Sequence, residues 1–299
     1  MILIMSYDAG GGINQATSRI YNVIKKANTS TKLYTTKNSS SYVAFWFLLH
    51  YKPHLIIIHD FFDFIVTAAA NYKIVNNNAK IIFLSLCNGK QLNGLELFDA
   101  ILLPKGNQLN FSRNGHFAKS ENFYYPLESN FKKKTDWRSR KNFVYIGRIS
   151  PSKINIRIIQ IFEKYGIFLE AFGPITDNDY FSYITSYQSF IYKGQIGHRR
   201  VPDVLNKYKY HILSSQTDCF SLTSLEAAAC GSIPLFVSCR QKFPWAQDIS
   251  FSFDIAEFEN AIPMLLLTDL ENYSSYISKN VIKTYNEENF LNIFKDIKL

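Results

Sequence analysis

Cysteine is scarce in this 299-residue chain: Cys87, Cys219, Cys230 and Cys239 form no Cys-x-x-Cys pair and have no histidine cluster beside them. That spacing suits neither a disulfide framework nor a zinc site, so the thiols are expected to be reduced, as in the cytosol, and no metal is expected. Long apolar runs are missing as well. The longest, Tyr42 to Leu49, is cut off by His50, Lys52 and Pro53, short of the roughly 18 to 20 residues that a spanning helix needs. No basic stretch precedes the apolar residues Ile2 to Met5, which read as a strand and not as a signal peptide. There is no repeat or low-complexity tract, and 47% hydrophobic with 19% charged residues excludes disorder and fibrous classes.

What is present is aromatic and basic. The 25 Phe and 19 Tyr predict an aromatic core, and the length suffices for two domains. The net charge is +9, and residues 105–141 hold nine Lys or Arg against Glu121, Glu128 and Asp136, leaving +6 in that stretch alone. Such a patch suits phosphate-bearing partners, whether nucleic acid, anionic lipid head groups or nucleoside diphosphates, and it suits a solvated linker equally well.

Short β-branched runs recur at Ile2 to Tyr7, Leu55 to Ile58, Lys80 to Leu84, Ala100 to Leu103, Phe143 to Ile146, Phe168 to Phe172, Phe190 to Tyr192, His211 to Ser214 and Ile233 to Val237. Helical patterns fill the intervals, and strands alternating with helices predict parallel sheets covered on both faces. The alternation pauses from about 123 to 141, so two α/β halves are expected, 1–135 and 136–299. In such sheets ligands bind outside the carboxyl ends of the strands.

Three strand-end segments carry candidate chemistry. Asp8-Ala-Gly-Gly-Gly-Ile-Asn14 leads into a helical pattern, where Gly11 and Gly12 would let backbone N–H groups approach an anion. Taken alone, it fits a tight strand-to-helix turn as well. Gly147-Arg148 with Lys153 follows the strand that opens the second half, and two cations there could meet one diphosphate or simply face solvent at a helix start. The segment Ser214 to Pro234 places Asp218 after a strand and Glu226 among Leu225, Ala227, Ala228 and Ala229. Glu226 is expected on a partly buried helix face, where it needs a hydrogen-bonding partner such as a sugar's paired hydroxyls or other protein groups.

Taken together, Gly147-Arg148 with Lys153, then Lys193-Gly194-Gln-Ile-Gly197, then Asp218 to Pro234, resemble the carboxyl-terminal domain of retaining glycosyltransferases of family 4 type. The likeness is specific from 143 to 237 and looser over the rest of the chain. It implies an α/β GT-B fold, two Rossmann-like domains facing each other across a cleft, the second binding a nucleotide sugar and the last helix packing back on the first. By resemblance Arg148 and Lys153 would neutralise the donor diphosphate, and Glu226 would hold the nucleotide ribose. Asp218 would hold donor-sugar hydroxyls, with the backbone N–H groups of Phe220, Ser221 and Leu222 and the glycines Gly147 and Gly197 nearby. Gly11 and Gly12 would close over the phosphates. The chain departs from the family pattern at two positions, with Asp218 where a glutamate is usual and Ser221 where a glycine is usual.

His59, at the end of Leu55-Ile-Ile-Ile-His, matches a strand-end histidine of the family's first domain that could contact donor sugar or acceptor, and it fits a structural role equally. Cys87-Asn88-Gly89 follows another first-domain strand, and Asn88 there can donate a hydrogen bond but cannot act as acid or base. Tyr42 to Lys52 is apolar nearly all round and is expected to be a core helix, although a helix of this kind also suits a membrane interface.

The resemblance therefore implies a metal-independent, hexosyl-type glycosyltransferase without cofactor, retaining configuration. It would move sugar from a nucleoside-diphosphate donor to a glycan or lipid-linked saccharide, as in surface polysaccharide synthesis, in the cytoplasm or at the inner face of a membrane. Two rivals stand beside it: a GT-B-like binding module that has lost turnover, and a basic nucleic-acid-binding protein. The second is disfavoured because the basic stretch carries no helix-turn-helix, zinc-finger or aromatic RNA-binding motif.

Overall fold

Strand β1 (Ile2–Tyr7), apolar from Ile2 to Met5, is followed by α1 (Gly11–Ala27), whose Ala16, Ile20, Val23 and Ile24 recur at helical spacing and are buried. Next come β2 (Thr31–Thr36), α2 (Ser41–Tyr51), β3 (Leu55–His59), α3 (Asp63–Val75), β4 (Lys80–Leu84), β5 (Ala100–Pro104) and β6 (Lys119–Phe123). The computed structural model describes the chain apart from residues 9–10, 38–39, 61, 86–96, 105–118, 217, 219, 241–242 and 297–299. Of 11–13, 119–121, 244 and 296 it describes the backbone alone. The expectations placed on Cys87, Asn88, Gly89 and Cys219 lie outside the described residues.

These strands form one parallel sheet in the order β2-β1-β3-β4-β5-β6. Its central strands are buried on both faces, as a doubly covered parallel sheet requires, and β3 is buried at every position. Ser40 caps α2 by accepting from Val43 N at 3.4 Å, and the helix ends at Lys52, which takes a left-handed conformation (φ 47°) ahead of Pro53. Helix α2 departs from the core expectation. Ala44 and Leu48 are buried in a cluster that includes residues of α3, but the opposite face leaves Tyr42, Val43 and Trp46 exposed. Among the described residues no helix is long and apolar enough to cross a membrane.

The second sheet is built from β7 (Lys141–Ile146), α4 (Ile156–Lys164), β8 (Leu169–Phe172), α5 (Asn178–Ile184), β9 (Phe190–Tyr192), α6 (Val201–Leu205), β10 (Tyr208–Leu213), α7 (Leu222–Ala229), β11 (Ile233–Val237) and β12 (Phe251–Phe253). Its order is β12-β11-β10-β7-β8-β9, again parallel throughout. Helices α8 (Ile255–Leu267) and α9 (Glu271–Thr284) follow, α8 starting on a capping box between Asp254 and Glu257. The core is aromatic as expected: Phe143 stacks on Tyr210 with centroids 5.3 Å apart, and Phe162 and Trp137 pack against the pair.

Residues Leu127–Thr284 form one unit, and Met1–Pro126 form the other together with Tyr285–Leu299. The division thus lies between 126 and 127, where the sequence pause had suggested 135. The last helix, α10 (Glu287–Asp296), belongs to the first unit: Phe290 is buried with its ring 6.1 Å from that of Phe123, and Glu287 pairs with Lys26 on α1 at 2.6 Å.

The basic stretch is largely engaged within the fold. Lys133 pairs with Glu271, Lys134 with Asp203, Arg138 with Asp269 and Lys141 with Glu170. Arg140 is buried and donates to the carbonyls of Thr135, Tyr208 and Cys230, and burial brings its pKa down to about 10. From 133 to 141, then, the cations have partners within their own unit, although Arg138 and Lys141 stay mostly exposed.

Candidate active site

Each sheet reverses its direction of growth at one point, and there the loops leaving two neighbouring strands diverge to open a crevice. In the second sheet the reversal lies between β7 and β10. The loop after β7 carries Gly147, Arg148 and Lys153, and the loop after β10 carries Ser214, Ser215 and Asp218. Sequence-distant residues therefore meet by topology.

Lys153 is 7% exposed, and its Nζ donates to Asp218 Oδ1 at 2.5 Å and to Ser215 Oγ at 3.2 Å. Ser215 Oγ also accepts from Asp218 N at 3.0 Å, which fixes the turn bearing the carboxylate. The two loops are stitched by Gln216 N donating to Ser152 O at 2.9 Å, and by Ser214 Oγ, which accepts from Asn155 N and donates to Lys153 O. Arg148 is exposed. The sequence expectation gave Lys153 to phosphate and Asp218 to sugar; the structure brings the two into one ion pair.

Glycine is needed at two positions beside Arg148. A Cβ on Gly147 would come within 2.7 Å of Tyr145 Oη, which is held in place by donating to Arg148 O at 2.7 Å. Gly173 has φ 142° and lies so close to Gly147 that a Cβ there would fall 1.9 Å from the Gly147 carbonyl oxygen.

Helix α7 starts within the same crevice wall. Ser221 is its N-cap, accepting from Ser224 N at 3.2 Å, and the hydroxyls of Ser221 and Ser224 lie 2.8 Å apart. With no acidic residue in the first turn, the N-terminus of α7 keeps its affinity for negative charge. Phe220 is buried against Trp245, with centroids 4.5 Å apart. Glu226 is 4% exposed, on the buried face of α7 as expected. Its carboxylate faces His198 Nε2 at 3.8 Å, and the same nitrogen lies 3.5 Å from Glu128 Oε1. His198 begins a short 3-10 turn, His198–Arg200, whose N-cap is Gly197. The sequence reading singled out Gly197 and passed over the histidine next to it; a polar ring directly after the last glycine of a strand-end loop was the available signal.

In the first sheet the reversal lies between β1 and β3. There the helix after the glycine loop starts at Gly11, and Asn14 on that helix donates to Asp8. His59 ends β3 with 0% exposure, its Nδ1 2.7 Å from Thr17 Oγ1, which in turn donates to Ser6 Oγ at 3.1 Å. Among the described residues its Nε2 has no hydrogen-bond partner, and burial lowers its pKa to about 3, so the ring is neutral.

No family model matches the chain, and no curated protein matches it. Solved structures do. The Anabaena protein HepE, in complex with UDP and glucose, superposes with a TM-score of 0.74 at 10% identity, covering 99% of each chain. Sucrose-phosphate synthase from Thermosynechococcus elongatus gives 0.74 at 12% identity, covering 100% of this chain and 98% of that one. WaaB, a lipopolysaccharide outer core galactosyltransferase, gives 0.70 at 14%, covering 99% and 100% respectively. At such identities the likeness speaks for the fold, and the chain has the two-unit, Rossmann-like GT-B fold that these proteins share.

Proposed function

We propose that the chain is a glycosyltransferase of the retaining, family 4 kind, moving a hexosyl group from a nucleoside-diphosphate sugar to a glycan or lipid-linked saccharide, without metal or cofactor. The observation that carries this reading is the convergence of Lys153, Asp218 and Ser215 at the reversal point of the second sheet, with Glu226 farther along α7. Cleaving a sugar–phosphate bond builds charge on the departing diphosphate, and preorganised cations and helix N–H groups stabilise it. Arg148, Lys153 and the first turn of α7 supply both; Glu226 accepts from the ribose hydroxyls and Asp218 from those of the sugar. His59 and the start of α1 lie at the reversal point of the first unit's own sheet. HepE was solved with UDP and glucose, and WaaB is named a galactosyltransferase, which favours a donor of that chemistry here too. A place in surface polysaccharide synthesis, at the inner face of a membrane, accords with a lipid-linked acceptor and with the exposed Tyr42, Val43 and Trp46.

The Lys153–Asp218 pair also favours a second reading, a nucleotide or glycan binding module without turnover, because a lysine already matched by a carboxylate offers less charge to phosphate. Thermal-shift measurements against a panel of nucleotide sugars separate the outcomes. A ligand at a hundred times its dissociation constant adds about 2.7 kcal/mol. Stabilisation by one donor with release of its nucleoside diphosphate supports transfer, stabilisation without release supports the binding module, and no stabilisation by any donor rejects both.

A further inference from the structure

An apolar cavity lies in the first unit at the amino ends of β1, β3 and β4, the opposite end of the sheet from His59. Leu55 and Ile57 stand two apart on β3, so they share one face of the sheet and form the floor. Ile24 of α1 and Leu291 and Phe294 of α10 form the walls, the last two only half-buried. The volume is about 770 Å³, within the roughly 300 to 1,000 Å³ of sites that hold small molecules. The charged groups of the lining are Lys80, Lys295 and Glu288, a surplus of one positive charge; His54 adds none at neutral pH, because desolvation lowers its pKa. Neither lysine is closely matched. Lys80 Nζ reaches Asp99 Oδ1 only at 3.4 Å, and Asp99 is already held by Lys73 Nζ and Ile81 N, both at 2.8 Å. Lys295 Nζ donates to Asn292 Oδ1 at 3.0 Å, and among the described residues it pairs with no carboxylate. Asn28 uses its carbonyl oxygen to accept from Ser30 N, so Asn28 and Asn292 both keep amide N–H groups as donors in the lining.

Apolar walls with one surplus cation disfavour a sugar, whose hydroxyls would lose water without gaining partners, and a polyanion, whose further charges would face Glu288. They suit a hydrocarbon chain that ends in a single negative charge. We infer that this cavity binds a fatty carboxylate taken up from solution as a monomer, its chain packed against Leu55, Ile57, Leu291 and Phe294 and its carboxylate drawn by Lys80 and Lys295. The inference does not rest on sugar transfer, since no residue that lines the cavity belongs to the candidate active site.

Calorimetry on the whole chain with octanoate, decanoate and dodecanoate, each below the concentration at which it forms micelles, tests the site. Each added methylene is expected to tighten binding roughly fourfold. Decanoate is expected to bind roughly fivefold more tightly than the uncharged decanol. Leu291→Glu sets a carboxylate among the apolar groups at a half-buried wall position and is expected to abolish binding of all three. Lys80→Gln combined with Lys295→Gln, both at exposed positions, is expected to keep the dependence on chain length and to lose the preference for decanoate over decanol. If Leu291→Glu does not fold, the lysine variant decides alone. No binding of any of the three carboxylates, an affinity that does not rise with chain length, or variants that bind as the parent does would each overturn the inference. Sedimentation with phosphatidylglycerol vesicles separates a membrane source from a soluble one: a chain that binds the vesicles and none of the monomeric carboxylates overturns it as well.

Discussion

Arg148 and Lys153 carry the same charge under different constraints. Lys153 is buried against Asp218, so Lys153→Ala should depress transfer and also lower the melting temperature by stranding a carboxylate, whereas the exposed Arg148→Ala should depress transfer alone. Each should cost roughly 2 to 4 kcal/mol of transition-state stabilisation; transfer at the parental rate in both variants would remove the phosphate assignment. Glu226→Gln should weaken binding of the free nucleoside diphosphate, while Asp218→Asn should spare it and reduce transfer, a split that calorimetry beside a transfer assay will expose. The buried histidines supply a third prediction. Burial lowers His59 to about 3 and His211 to about 4, so between those values and the ordinary imidazole range the unfolded chain binds protons that the folded chain refuses. Their stabilising contribution is complete above about pH 6.5 and is lost as pH falls, by up to about 1.4 kcal/mol per unit for each ring. Urea midpoints measured from pH 7 downward should drop accordingly, and less steeply in His211→Gln. The residues of the candidate site stand out in the sequence where one short segment contains them, as with Asp218 and Glu226. The approach of His198 to Glu226 and Glu128 does not, because it depends on carboxylates brought from two other segments by folding.

The structural elements show the same division between local and non-local information. Central strands such as β1, β3 and β11 are apolar on both faces and stand out in the sequence. The strands that sequence alone did not reveal, β2, β6 and β12, are all sheet edges. β2 and β6 are mostly polar, Thr-Lys-Leu-Tyr-Thr-Thr and Lys-Ser-Glu-Asn-Phe, because an edge strand has one free side and gains from charge that discourages pairing with other chains. The short β12 lies beside β11 and its three residues are too few to show periodicity. Helix α2 was misread for a related reason: a run without charge implies burial all round, yet only Ala44 and Leu48 are buried in it. Helix starts offer a clean test. Asp254→Ala removes the capping box of α8 and should lower stability by about 1 kcal/mol, read from chemical denaturation.

For the whole molecule, the decisive feature is that α10 belongs to the unit formed by the first 126 residues. Phe290→Ala should leave a cavity against Phe123 and cost about 3 to 5 kcal/mol. Pulse proteolysis with fragment identification should then show 1–126 digested before 127–284, and equal rates for the two would contradict the assignment of α10. The same feature governs the order in which the protein can mature on a ribosome. Chains emerge from the amino end and units usually fold as they appear. Here the unit that starts before the other is finished after it: Leu127–Thr284 is complete in sequence and free to fold while the nascent first unit still lacks α10, and the sheet that contains Ile2 waits for Phe290, made only after the whole of Leu127–Thr284.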